Sequence, residues 1–368
     1  MKREHTAKRL EELRGSIEKS DLDGFVIYSY ENSDSSNLRY MTNFDCSLGV
    51  MIITEGESLF LTDSRYYDEA SEAIENYDLI KIEKDPLETA ASKVKQIKGQ
   101  KFGISESDIS LSAFNKLKKL MEQGSKNLKP VPNPVKELRT IKDESEIERQ
   151  KKAGNLTDAT VEHILGKAKP GVTEKELALE IEIFMRKNGA EDVAFDPIVA
   201  SGEKSAYPHA TATNKEIEKG EFLLIDMGAK VNGYCADLTR TFHIGEANSK
   251  KRKIYNLVLE AHKRGLEALH DSATAKKVDR AARKVIEDAG YGQNFGHRLG
   301  HGVGLEIHEA PELSSESEKP LKKGMVVTVE PGIYIPQWGG IRIEDMVQIT
   351  AEGYSSFSKA DKEELIEI

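Results

Sequence analysis

One stretch of this chain is written twice. "KGEFLLIDMG" (219–228) matches "KGMVVTVEPG" (323–332) position by position at an offset of 104. Each has Lys-Gly, five residues of strand, a carboxylate, one further residue and Gly. The upstream segments echo each other too: "GVTEKELALEIEIFMRKNGA" (171–190) aligns with "SATAKKVDRAARKVIEDAGY" (272–291), pairing Thr173 with Thr274 and Gly189 with Gly290. A duplicated helix–strand–hairpin unit places its halves about a pseudo-twofold axis. Asp226 and Glu330 are then equivalent positions meeting near that axis.

The duplicated strands end on acids, which is costly unless something pairs with them. After Gly228 the chain turns through "AKVNGY", where Asn232-Gly233 is a hairpin signal. A loop at Val231-Asn232 puts Asp226 directly opposite Asp237; a loop at Asn232-Gly233 makes them diagonal neighbours. Side chains alternate with period two, so both registers keep the two aspartates on one face. In the second copy an odd-length loop around Gln337 puts Glu330 and Glu344 on one face. Two unit charges about 5 Å apart repel by roughly 3 kcal/mol at an effective dielectric of about 20. Protonation or cations must relieve that. Two divalent cations balance four carboxylates, and a metal pair about 3.5–4 Å apart is a known device for activating water and polarising a carbonyl. "NFGHRLGHGVGLEIHEAPEL" (294–313) supplies His297, His301 and His308 nearby. His297 and His301 have the spacing of a helical zinc pair, but Gly300 and Gly302 disfavour a helix and Arg298 stands where a base glutamate would be. The glycines suit a strand or loop packed closely beside the metals.

With 368 residues the chain is long enough for two domains. The first third reads as α/β, with strand-like "GFVIYSY", "GVMIITEG" and "SLFLTD" separated by helical segments and by a turn at Asn32, Ser33, Asp34 and Ser35. Pro130, Pro132 and Pro134 interrupt regular structure and mark the boundary, giving domains 1–133 and 134–368. A long helix follows, with Asp143 as N-cap and Glu146 completing a capping-box pair. The opening "MKREHTAKRLEELRGSIEKSDLDG" lacks the apolar core of a secretory signal and reads as an amphipathic helix ending near Gly24. No apolar run is long enough to span a membrane. A net charge of −10 without a basic stripe argues against nucleic acid. Cys46 and Cys235, the two cysteines, are too few for a disulfide framework or a structural zinc site, and a cytoplasmic setting is expected.

The words "IDMGAKVNGYCADLTRTF", "GHRLGHGVGLEIHE", "VEPGIYIP" and "GGIRIED" resemble the metallopeptidases of the pita-bread fold, which include prolidase, aminopeptidase P and methionine aminopeptidase. The ordered set Asp226, Asp237, His301, Glu330, Glu344 is complete, and "ASGEKSAYPHATATN" adds His209. "NLRYMTNF" and "TDSRYY" resemble the N-terminal domain of the Xaa-Pro-cleaving branch. The resemblance implies an α/β N-terminal domain and an α+β pita-bread domain with a pseudo-twofold internal repeat. It implies that the five residues hold two divalent metal ions, manganese or cobalt first, with zinc and iron also compatible with oxygen-rich coordination. Asp237 and Glu344 would bridge the metals, Asp226, His301 and Glu330 would complete the shells, and Glu330 would also act as general base. His308 and His209 would face the substrate carbonyl. Tyr334 and Arg342 would shuttle protons or hold ligands, and Thr239, of the same parity as Asp237, would donate to a ligating carboxylate. His297 is read as structural or as a support behind the ligands, and Cys235 as a small packed residue.

The implied substrates are peptides with proline second. Glu312, four residues after His308, stands where some dipeptide-cleaving relatives carry an arginine for the free carboxylate. An acid there repels that carboxylate, so the expected activity is release of the N-terminal residue, as in aminopeptidase P. The Xaa-Pro dipeptidase reading stands as the alternative, ahead of methionine aminopeptidase, an inactive binding homologue and creatine hydrolysis. A homodimer is implied by the resemblance alone.

Overall fold

The computed structural model describes residues 2–31 and 35–368, so the turn expected at Asn32, Ser33 and Asp34 lies outside the described residues. The chain divides into two compact units, Met1–Arg139 and Thr140–Ile368.

The first unit holds strands β1 (Gly24–Tyr30), β2 (Leu48–Thr54), β3 (Ser58–Asp63), β4 (Asp78–Ile82), β5 (Lys101–Ser105) and β6 (Asn127–Val131), in the sheet order β4-β3-β2-β1-β5-β6. β1–β2 and β2–β3 are antiparallel and the other pairs parallel. Every residue of β2 is buried, which is why "LGVMIIT" runs apolar without alternation. Helices Pro86–Gln96 and Leu111–Glu122, capped by Asp85 and Ser110, lay Leu87, Val94, Leu117 and Met121 on one face of the sheet. The opening helix runs Lys2–Lys19 and stops short of Gly24. Asp23 is committed elsewhere: its N–H donates to the Lys101 carbonyl at 2.7 Å and its carboxylate accepts the Gln100 and Lys101 N–H groups.

The second unit opens with helix Glu144–Leu165, whose capping box joins Asp143 and Glu146 as expected. Its strands are β7 (Asp192–Val193), β8 (Ile198–Ser201), β9 (Phe222–Met227), β10 (Ala229–Val231), β11 (Tyr234–Cys235), β12 (Leu238–His243), β13 (Gly300–Gly302), β14 (Glu309–Leu313), β15 (Val326–Val329), β16 (Gly332–Ile335), β17 (Gly339–Arg342), β18 (Asp345–Ile349) and β19 (Tyr354–Ser356). They form two bent antiparallel ribbons and their flanking strands.

In the first ribbon one register runs through both β9–β12 and β10–β11: Asp226 faces Thr239, and Val231 faces Tyr234. The loop is Asn232-Gly233, with φ of 50° and 81°, so Asp226 and Asp237 are diagonal neighbours. The ribbon bends at Gly228, where a Cβ would stand 1.9 Å from the Ala236 carbonyl oxygen. The second ribbon also keeps one register: Val329 faces Asp345 in β15–β18, and Gly332 faces Arg342 in β16–β17. Its loop is centred on Gln337, at φ 62°. The break falls between Val329 and Gly332, where Pro331 has no N–H to give a ladder.

The helices obey the same duplication. Thr173 caps Glu174–Lys187 and pairs with Glu216; Thr274 caps Ala275–Asp288 and pairs with Pro320. Leu177, Ile181 and Met185 pack with Leu223 and Ile225 in one half, and Val278, Ala282 and Ile286 with Val327 and Val329 in the other. Both ribbons are thereby backed by an apolar helix face, and the bends turn their acids toward each other.

Candidate metal centre

Each acid stands at or beside a strand end. Asp226 is the penultimate residue of β9, Asp237 precedes β12, Glu330 follows β15, and Glu344 lies between β17 and β18. His301 is the middle residue of β13. Single ligand atoms of Asp237, His301 and Glu344 lie within 4.8 Å of one another. His301 Nε2 is 3.5 Å from Asp237 Oδ2 and 3.5 Å from Glu330 Oε1. The strand that carries His301 approaches its neighbours closely: a Cβ on Gly300 would stand 2.0 Å from the Thr328 carbonyl oxygen.

Hydrogen bonds orient the group. His301 Nδ1 lies 3.0 Å from the Gly302 carbonyl, which can only accept, so Nδ1 carries the proton and the Nε2 lone pair faces the acids. Thr239 donates its hydroxyl to Glu344 Oε2 at 2.6 Å, matching the parity argument. Thr328 donates to Glu330 Oε1 at 3.3 Å and accepts the His301 N–H at 3.1 Å. Arg342 donates to Asp226 Oδ2 at 2.6 Å, to Thr239 Oγ1 at 3.1 Å, to the Tyr334 hydroxyl at 2.8 Å and to the Pro208 carbonyl at 3.2 Å. Tyr334 in turn lies 3.0 Å from His297 Nε2; His297 Nδ1 donates to the Arg298 carbonyl, so the tyrosine proton points at His297. Asp226 Oδ1 is buried without a hydrogen-bond partner.

The electrostatics are those of acids forced together out of water. Burial, reinforced by Glu344, Asp226 and Glu330, pushes the Asp237 carboxyl well above the usual range. Burial with Glu330 and Asp226 does the same to Glu344. Burial raises Glu330 to about 8, with Asp226 adding to it and Arg342 opposing. Burial lowers His301 and His297 to about 4, so both rings are neutral. Burial also opposes the charge on Arg342, yet Tyr334, Asp226, Glu330 and Glu344 more than offset it. Crowded buried acids with raised pKa, an orphaned Asp226 oxygen and an aimed imidazole lone pair together fit divalent cations.

The remaining expected residues lie around this group. The His308 ring is 4.3 Å from that of His301. His209 is exposed, one residue after the Pro208 carbonyl that Arg342 holds. Cys235 is buried, with Sγ 3.8 Å from the Leu305 carbonyl. Glu312 departs from expectation. It forms an ion pair with Arg298, two residues before β13, which offsets its charge although both side chains stay about half exposed, at 49% and 58%. Sequence reasoning also missed Thr328, which shares the parity of Glu330, and Arg240. The Arg240 guanidinium donates to the carbonyls of Thr239 and Glu344 at 2.9 and 2.6 Å and to Asp345 at 2.8 Å.

Residues 148–351 match the model for metallopeptidase family M24, and residues 9–141 that for the creatinase/prolidase N-terminal domain. An Xaa-Pro dipeptidase of Pyrococcus horikoshii is 38% identical over 348 residues, covering 94% of this chain and 95% of its own. The solved structure of an Xaa-Pro dipeptidase from Bacillus anthracis is similar with a TM-score of 0.94 at 41% identity, over 99% of this chain and 100% of that one. An X-Pro aminopeptidase from Thermotoga maritima is similar with a TM-score of 0.90 at 36% identity, over 98% and 100%.

Proposed function

The chain belongs to metallopeptidase family M24, in its Xaa-Pro branch, and from that premise we propose that it is an Xaa-Pro dipeptidase, splitting dipeptides whose second residue is proline. The observation that carries this reading is likeness, over nearly the whole chain, to two proteins named Xaa-Pro dipeptidases. It replaces the expectation of an aminopeptidase P activity. That expectation rested on repulsion by Glu312, whose charge Arg298 partly offsets. Aminopeptidase activity remains the second reading because the Thermotoga maritima neighbour carries that name.

Asp226, Asp237, His301, Glu330 and Glu344 would hold two divalent cations, manganese or cobalt first. Bound there, the cations polarise the scissile carbonyl and activate water. The chain's own residues do the rest. Glu330, held as a carboxylate when the cations are bound, would accept a proton from the attacking water. His308 and His209 hydrogen-bond the substrate carbonyl oxygen as charge develops on it. Arg342 keeps Asp226 oriented and, through the Pro208 carbonyl, steadies the segment that carries His209. Tyr334 receives a donor from Arg342 and passes its own proton toward His297. None of these groups grips the N–H of the scissile amide, which an Xaa-Pro bond lacks.

Purified protein loaded with manganese or cobalt is expected to cleave Gly-Pro and to leave Arg-Pro-Pro intact. Release of arginine from the tripeptide would move the assignment to the aminopeptidase. A chelator is expected to abolish hydrolysis and either metal to restore it.

A further inference from the structure

Lys142 has no part in the chemistry above, yet it is buried with its charge. It lies immediately before Asp143, the N-cap of helix Glu144–Leu165. Its side chain is 1% exposed and pairs at 3.1 Å with Glu309, itself 7% exposed, which is 167 residues away. A lysine is almost never buried so fully unless paired, and a buried pair gives little net stability over an apolar one. The pair therefore calls for a reason beyond stability.

Glu309 follows His308 directly. Its Oε2 takes the lysine, and its Oε1 accepts the Glu306 N–H at 3.1 Å, closing the turn that ends on His308. The Gly304 N–H donates to the Glu306 carbonyl at 3.0 Å, the Cys235 N–H to the Gly304 carbonyl at 2.8 Å, and Gln150 Nε2 to the Val303 carbonyl at 3.0 Å. Gly304 makes room for the acid: a Cβ there would stand 2.4 Å from a Glu309 carboxylate oxygen. At the end of this turn the His308 ring meets the His301 ring at 4.3 Å.

We infer that Lys142 is a positioning residue for turnover: through Glu309 it fixes the turn from Gly304 to His308 and so aims the His308 imidazole at the substrate carbonyl. This rests on the role given to His308 above. An aim lost by about 1 Å costs up to roughly 10²-fold in rate, so the effect belongs in kcat.

The test is Lys142→Met in the full-length, metal-loaded enzyme. On Gly-Pro, kcat is expected to fall about tenfold or more, with KM within about threefold and metal content unchanged. In a His308→Ala background the same substitution is expected to add less than about twofold, because the path runs through that ring. The variant Lys142→Met/Glu309→Met removes both charges and keeps the fold without a lone buried ion, and it is expected to be just as slow. A folded, metal-loaded variant with wild-type kcat, or an undiminished loss in the His308→Ala background, overturns the inference. The His308 ring resonance in metal-free protein, identified by its disappearance in His308→Ala, gives a readout without catalysis. It is expected to shift or broaden in Lys142→Met, and an unchanged resonance also overturns the inference. Should the wild type cleave no Xaa-Pro peptide, the dipeptidase reading fails while that resonance still decides the role of Lys142.

Discussion

At His301 the tautomer is set by its own backbone. The Gly302 carbonyl takes the Nδ1 proton, and the other nitrogen is left to face Asp237 and Glu330. Asp237 and His308 stand on either side of a chemical divide that mutation exposes. Asp237→Ala is expected to lose metal, seen by elemental analysis of the purified protein. His308→Ala is expected to keep metal and lose about 10²–10³-fold in kcat; equal metal loss in both would erase the distinction. The raised acids have a thermal signature. Glu330 titrates at about 8 in the fold against an ordinary value of 4.5, burial being the first cause. A carboxyl raised on folding stabilises the fold while protonated, and that stability is withdrawn as pH rises through the folded value. The Tm of chelator-treated protein is therefore expected to decline from about pH 4.5 to about pH 8, and saturating manganese to flatten the decline; calorimetry with and without chelator measures both. The acids and Thr239 were legible because period-two alternation fixes which residues share a face. Arg298–Glu312 and Lys142–Glu309 were not, since neither pairing follows from spacing along one strand.

Among elements, the ribbons were the easiest to read and the least complete. Asn232-Gly233 chose its loop because φ is positive at both positions, and that choice set the register. What the local sequence could not convey is how the ribbons are fastened. Arg240 sits in a wholly buried strand and looks anomalous there, yet it reaches the carbonyls of Thr239, Glu344 and Ala360 and the carboxylate of Asp345. Removing one partner of such a buried pair costs about 3–5 kcal/mol. Arg240→Met is expected to lose that much in denaturant unfolding, with the slope unchanged; a loss within about 0.5 kcal/mol, typical of surface changes, would show the fastening to be dispensable. The opening helix erred in the other direction. Its polarity and periodicity continue past Lys19, but the N–H groups of Gln100 and Lys101, at the start of β5, donate to Asp23 and are invisible locally.

At the scale of the whole molecule, the internal repeat is the most informative feature, because it implies two symmetric halves within the second unit. The caps at Thr173 and Thr274 and the matching bridges to Glu216 and Pro320 bear it out. Among the described residues no helix is long and apolar enough to cross a membrane. The dimer implied by the resemblance is expected to appear in light scattering as twice the 41.0 kDa chain mass, and a single-chain mass would remove it.

The duplication also divides the work. Asp226 and Asp237 belong to one half, and His301, Glu330 and Glu344 to the other. A cut in the chain between His243 and Gly300 would leave two fragments, each with an incomplete set of donors. Hydrolysis by such a nicked protein would then depend on reassociation, rising with the product of the two fragment concentrations until they saturate one another. Refolding of the intact chain carries the same signature within one molecule: helix content returns through local contacts, and peptide cleavage waits for partners more than a hundred residues apart to meet.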